Sequence, residues 1–230
     1  HYPLRRQRQM CIRDSLFSWS IGFFLIKRNI NLDRWYGLFL LTFSSIQMTD
    51  YLLWVLYENN NFNSKYNLIL TKYVIPIILI CQVLVVYFGK ILFQNNNKFD
   101  NKLLPKLKNN IYKNIYPKIL IIYIIISLIQ SFKSKRLTKI GEKKNLDWGG
   151  YTNKNTKYSK VIYFIFVLFI IYPFLDYIKQ YKSLLIFIIT LVVLLLISFG
   201  YTESVGSYWC WISNVLSVIF LFSPYIDGKL

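Results

Sequence analysis

Long apolar runs alternate with short polar connections along this chain. By hydropathy and length, seven apolar segments stand out, at residues 16–26, 35–57, 68–93, 116–132, 160–177, 184–201 and 205–226. A bilayer core is crossed by roughly 20 apolar residues in a helix. The pattern therefore predicts an all-α, polytopic membrane protein: a seven-helix transmembrane bundle in one domain over residues 16–230. The first segment is too short to span and is read as truncated. The connections are polar, among them "ENNNFNSKYN" and "QNNNKFDNKLLPKLKNN", and a long one that includes "KIGEKKNLDWGGYTN". No internal repeat is evident.

Composition sharpens this picture. The 230 residues are 55% hydrophobic and 19% aromatic, yet charge is concentrated in the connections. A soluble domain would carry charged surface on every element. The formal net charge of +18 invites a nucleic-acid reading. However, alanine is absent while Lys, Asn, Ile, Tyr and Phe abound, as an AT-rich coding sequence would give. The expected partner is the lipid bilayer, with anionic lipids at the basic loops, and not nucleic acid. Lys27, Arg28, Arg34, Lys179 and Lys182 flank one set of short loops, which places the N-terminus outside and the C-terminus inside. The lysine-rich loop at 133–159 runs against that rule, but long loops count for less.

The first fifteen residues, "HYPLRRQRQMCIRDS", hold the single histidine and differ sharply in composition from the rest of the chain. "RRQRQMCIRDS" closely resembles a string produced when sequencing adapter is translated within assembled environmental reads. Residues 1–15 are accordingly expected to be non-native. Without them the chain has no histidine.

Polar residues within the apolar segments are costly and tend to face a bundle interior or mark a functional site. In "TFSSIQMTDYLLW", at about 100° per residue, Ser44, Gln47, Asp50, Tyr51 and Trp54 fall on one arc. In the seventh segment Glu203, Ser207, Cys210, Asn214 and Ser217 form a stripe, flanked by Trp211. With alternating topology, Cys210 lies level with Asp50 and Asn214 with Gln47. Lys72, near the outer start of the third segment, is placed to neutralise Asp50 or Glu203. The stripes fit helix–helix glue or a polar pocket between segments two, three and seven. Asp50 favours the pocket, because glue rarely needs a carboxylate. "NLDWGG" fits a tight turn anchored by an interfacial tryptophan, or a lid.

Several chemistries are excluded. The last segment has no lysine for a retinal Schiff base. Zinc hydrolases of the ceramidase and adiponectin-receptor kind need a histidine cluster. Cys11, Cys81 and Cys210 show no CxxC spacing or disulfide framework. No GxGxxG, P-loop, GxSxG or HExxH occurs. No cofactor, metal site or catalytic residue is assigned.

"SSIQMTDYLLW", "NLDWGG" and "GSYWCWISN" together resemble an uncharacterised family of small multi-pass membrane proteins from giant DNA viruses of algae and protists. The likeness extends over most of residues 35–222. The family pattern has a glutamine three residues before an acidic residue, matched by Gln47 and Asp50. It also has a small residue before Trp-Cys, matched by Gly206, Ser207, Trp209 and Cys210. Asn145 stands where the pattern has a histidine ahead of Leu146 and Trp148. The resemblance implies class and origin, and no activity comes with it.

The leading functional expectation is a channel, transporter or receptor-like protein. Asp50 is its buried charge, Gln47, Asn214 and Ser207 supply hydrogen bonds, and Trp54 and Trp211 form the walls. The alternatives are an intramembrane lipid-modifying enzyme, with Asp50 or Glu203 as general base, and a non-catalytic viral membrane scaffold.

Overall fold

A computed structural model describes residues 2–94, 115–133, 137–140, 146–148, 157–200 and 205–228. Among these, the chain is almost entirely helical. The order is α1 (Tyr2–Arg28), α2 (Asp33–Glu58), α3 (Lys65–Ile69), a π-helical turn (Leu70–Val74), α4 (Ile75–Gln94) and α5 (Tyr116–Lys133). A short ribbon of β1 (Lys139–Ile140) and β2 (Leu146–Asp147) comes next. Then come α6 (Lys157–Ile171), a 3-10 turn (Tyr172–Tyr177), α7 (Lys182–Gly200), α8 (Val205–Leu221) and α9 (Ser223–Ile226). Two of these rods, Asp33–Glu58 and Lys65–Gly89, are long and apolar enough to cross a membrane by length and composition. Shorter apolar helices lie at Tyr116–Phe132, Phe164–Leu175, Lys182–Val193 and Trp209–Leu221.

α1 runs unbroken from Tyr2, so residues 2–15, expected to be foreign to the fold, continue its apolar half toward the N-terminus. Cys11 and Ser15 are buried, and Arg8 pairs with Glu58 at the far end of α2. α1 and α2 form an antiparallel hairpin with the most extensive helix contact among the described residues. Asn29 and Asn31 turn the chain at φ 54° and 51°, a left-handed conformation that asparagine tolerates. Gly22 and Gly37 let the two backbones touch. A Cβ on Gly37 would lie 2.5 Å from the Gly22 carbonyl oxygen, the kind of approach small residues permit between apolar helices.

Arg28 fastens this hairpin to α8. Its guanidinium donates to both carboxylate oxygens of Asp33, at 2.6 and 2.8 Å. It also donates to the Leu221 and Phe220 carbonyls, at 2.6 and 3.2 Å. Those carbonyls have no partner within α8 at its C-terminal end, so one cation satisfies a turn and a helix terminus together. Beside it, Asp227 accepts from the Ser183 N–H and hydroxyl, and Ser183 meets the Tyr36 hydroxyl at 2.9 Å.

Proline sets the remaining breaks. Pro76 has no N–H for the Lys72 carbonyl, and the Ser131 hydroxyl donates there instead, joining α5 to the π-helical turn. α6 gives way to a 3-10 turn around Pro173. The seventh apolar segment, expected as one helix over 205–226, is interrupted at Phe222, with Pro224 opening α9.

The interior is mainly aromatic and aliphatic, with polar side chains set into it, while the outward surface is also strongly apolar. Ser18, Ser44, Gln47, Asp50, Asn67, Thr71, Gln82, Ser183, Ser213 and Ser217 are buried. Large apolar side chains stand outward on nearly every rod, including Ile121, Ile122 and Ile125 on α5 and Leu185, Ile189 and Leu196 on α7. Many hydroxyls donate to the carbonyl four residues back, as Ser44 does to Leu40 at 2.6 Å and Thr190 to Ile186 at 2.8 Å.

Candidate functional site

Asp50 lies two turns from the C-terminal end of α2 and is 2% exposed. Its Oδ1 accepts a hydrogen bond from Trp148 Nε1 at 2.8 Å. Trp148 directly follows β2, in the connection between α5 and α6, and is itself buried. A residue from a loop thus enters the bundle and closes over the carboxyl group. Its ring meets Trp209 edge-on at 6.4 Å. Trp209 in turn stacks on Phe43 at 4.5 Å and donates its indole N–H to the Phe43 carbonyl at 3.1 Å.

A hydroxyl and amide clamp holds the ribbon in place. The Thr138 amide N–H donates to Asn67 Oδ1 at 3.1 Å, and Asn67 Nδ2 returns a bond to the Thr138 carbonyl at 3.0 Å. The Thr138 and Thr71 hydroxyls meet at 2.6 Å. Asn67 and Thr71 are four apart, so they share one face as α3 passes into the π-helical turn. β1 and β2 pair antiparallel, Ile140 opposite Leu146, which delivers the next residues toward α2.

One turn before Asp50, on the same face of α2, Gln47 is fully buried. Its Nε2 donates to the Ser213 hydroxyl and to the Cys210 carbonyl, the latter at 3.4 Å. A carbonyl oxygen only accepts, so the amide nitrogen is fixed on that side. Gln47 Oε1 is left buried without a partner. Ser213 donates to the Cys210 carbonyl at 2.9 Å, and Ser217 donates to Ser18 at 3.0 Å. These serines form a seam that joins α8 to α1 and α2. At the end of the seam nearest the start of α8, the free thiols of Cys11 and Cys210 lie 3.7 Å apart.

The structure unites part of the expected constellation. Gln47, Asp50 and Cys210 gather where α2 meets α8, and Trp54 is buried one turn beyond Asp50. Tyr51 is half-buried against the core. Asn214 is half-buried, with its Oδ1 unpartnered, and interacts with Asp14 of α1. Glu203 lies outside the described residues, as does the side chain of Ser207.

Two expectations are corrected. Trp211 is not a wall of the pocket: it is 67% exposed, while Trp209, which is not on the expected stripe, is 1% exposed. The inward face of α8 carries Trp209, Ile212, Ser213, Leu216, Ser217 and Phe220, with Cys210 at its edge. That is a turn of roughly 90° from the expected stripe, about one residue on a helix. The cause is shape: the Trp209 indole fills the space between Phe43, Trp148 and Phe166, and the exposed Trp211 suits an apolar surround. Lys72 likewise does not reach Asp50. Its ammonium sits 5.6 Å from the centre of its neighbour Tyr73's ring, and the two ion pairs among the described residues are Arg8–Glu58 and Arg28–Asp33.

Trp148 and Ser213 are the members that the sequence pattern does not select. "NLDWGG" marks the tryptophan as notable without giving its direction. Ser213 falls outside the polar stripe, which is centred one residue away. Among the described residues, no group of three His, Cys, Asp or Glu side chains comes together to hold a metal ion. No family model, curated protein or solved structure matches the chain.

Proposed function

We propose that this chain is a multi-pass membrane protein of channel or transporter type, crossing the bilayer seven times, in which Asp50 is the polar group of an intramembrane pocket and Trp148 its closure. The apolar outer surface supports the membrane reading, because outward Ile, Leu and Phe on so many rods would form a very large apolar patch in water. The self-satisfied serine and threonine hydroxyls suit an oily surround in the same way. The positively charged short loops support a C-terminus on the inner side, which puts the Trp148 ribbon on the outer side. The likeness of three short motifs to the viral membrane family agrees with this class.

One observation carries the functional part: the 2.8 Å bond from a loop-borne indole to a carboxyl group buried on a membrane helix. A structural bond of this kind is more economically made between two helices. A loop can leave, and its departure would open Asp50 to the outer side.

The test is solute permeation in liposomes carrying the purified protein. Trp148→Ala is expected to admit small ions faster than the unaltered protein, and Asp50→Asn on that background is expected to change which ions pass. Folded Trp148→Ala protein that leaves liposomes as tight as protein-free ones would overturn the reading and leave a scaffold.

A further inference from the structure

Trp148 reaches Asp50 from a ribbon that hangs on an unusual piece of backbone. Between α3 and α4 the helix widens into the π-helical turn Leu70–Val74, where the Ile75 N–H reaches the Leu70 carbonyl five residues back. Turns of this kind occur as single wide steps inside α-helices, often at functional sites. Pro76 supplies the local cause. In an α turn its ring would strike the Lys72 carbonyl, and it has no N–H to offer that oxygen. The Ser131 hydroxyl of α5 donates there instead, which holds the wide turn from outside.

The clamp on the ribbon straddles this turn. Asn67 precedes it by three residues and is fully buried, and Thr71 lies within it. The Thr71 hydroxyl donates to Asn67 Oδ1 at 2.9 Å, and its oxygen accepts from the Thr138 N–H at 3.2 Å. The paired Asn67–Thr138 bonds add contacts at 3.0 and 3.1 Å. All of them need Asn67 and Thr71 to keep one rotation relative to the rest of the bundle. Replacing the π turn by an α turn shifts the phase between its two flanks by about one residue, roughly 100° and 1.5 Å. Hydrogen bonds near 3 Å do not survive such a step.

We propose that this π-helical turn is the hinge of the Trp148 closure. In its wide form the clamp seats the ribbon and Trp148 bonds Asp50. In its α form Asn67 and Thr71 turn away from Thr138, and the indole is withdrawn. The proposal rests on the pocket reading above and assigns the control of that pocket. It makes the turn a two-state element of the kind a switch requires, with Pro76 and Ser131 setting the balance.

The full chain in liposomes tests this with two readouts: ion leak, and the dipolar coupling between 15N-indole tryptophan and 13C-carboxyl aspartate. Pro76→Ala restores an N–H for the Lys72 carbonyl and favours the α form. Leak is expected to rise roughly two- to tenfold, the worth of one backbone hydrogen bond, and the Trp148–Asp50 coupling to weaken. Ser131→Ala, which removes the outside donor, should act in the same direction. Pro173→Ala, at the other helical break, should change neither readout. With Asn67→Ala and Thr71→Val together the coupling should be lost outright, and Pro76→Ala on that background should add nothing.

Full coupling and unaltered leak in both folded Pro76→Ala and folded Ser131→Ala would overturn the hinge. So would a coupling that persists without Asn67 and Thr71, or an equal effect from Pro173→Ala. The pocket reading fails separately: coupling weakened by Pro76→Ala, in liposomes as tight as protein-free ones, would keep the hinge and discard the pocket.

Discussion

Removing the Trp148–Asp50 bond should cost stability in a way that a double-mutant cycle isolates. The bond is short, at 2.8 Å, and both groups are almost fully buried. Hydrogen bonds to charged groups contribute about 1.5–3 kcal/mol in soluble proteins. Between membrane helices, measured couplings average about 0.6 and reach about 1.7 kcal/mol. Burial and geometry place this pair at the upper end, near 1.5 kcal/mol. Trp148→Phe keeps a ring against Trp209 and leaves the carboxyl without its donor, for a loss of about 2 kcal/mol. Asp50→Leu strands the indole N–H instead, at about 1–3 kcal/mol. The double variant should then be more stable than the two losses added together by about 1.5 kcal/mol. Unfolding in mixed micelles, followed by circular dichroism, reads all four corners of the cycle. A coupling below about 0.3 kcal/mol, with all four proteins folded, would show that the indole does not hold the carboxyl group.

Other substitutions probe the packing. Trp209→Ala should lose about 3–5 kcal/mol, whereas Trp211→Ala, at 67% exposed, should stay within about 0.5 kcal/mol in the same unfolding assay. The reverse order would restore the sequence-derived face of α8. Gly37→Ala forces a Cβ to 2.5 Å from the Gly22 carbonyl oxygen, and should lower stability by about 1–3 kcal/mol despite alanine's better helix propensity. Arg28→Lys loses the planar fork that spans Asp33 and the end of α8, so a lower Tm is expected even though the charge is kept. A chain lacking residues 1–15 should keep the full Trp148–Asp50 coupling, because that pair and its neighbour Trp209 belong to α2, α8 and the ribbon. It forfeits the Arg8–Glu58 pair, worth at most about 1 kcal/mol, and with it the buried Cys11 and Ser15 contacts to α8 and α2, so a lower overall stability is expected alongside the unchanged coupling.

The helical rods were legible because hydropathy and length report directly on burial along a helix. The third segment, expected at 68–93, is the rod from Lys65 to Gln94, and the fourth, expected at 116–132, is α5. The burial of Gln47 and Asp50 was legible too, since an amide and a carboxyl group in an apolar helix have few places to go. The rotation of α8 was not. Polarity alone centred its inward face on Cys210, but the bundle interior here is filled by aromatic rings, and Trp209 outweighs Asn214 in the space it needs. The direction of Trp148 was hidden for a different reason. A loop residue has no periodicity, and the bonds that aim it come from Asn67 and Thr71, far away in the chain.

The most direct measurement is a dipolar-coupling distance by solid-state NMR on the chain in lipid bilayers, with 15N-indole tryptophan and 13C-carboxyl aspartate. A strong coupling between one indole nitrogen and one carboxyl carbon, lost in Trp148→Phe and in Asp50→Asn, is the expected result of a 2.8 Å bond. An unaltered protein with no indole–carboxyl coupling would contradict it.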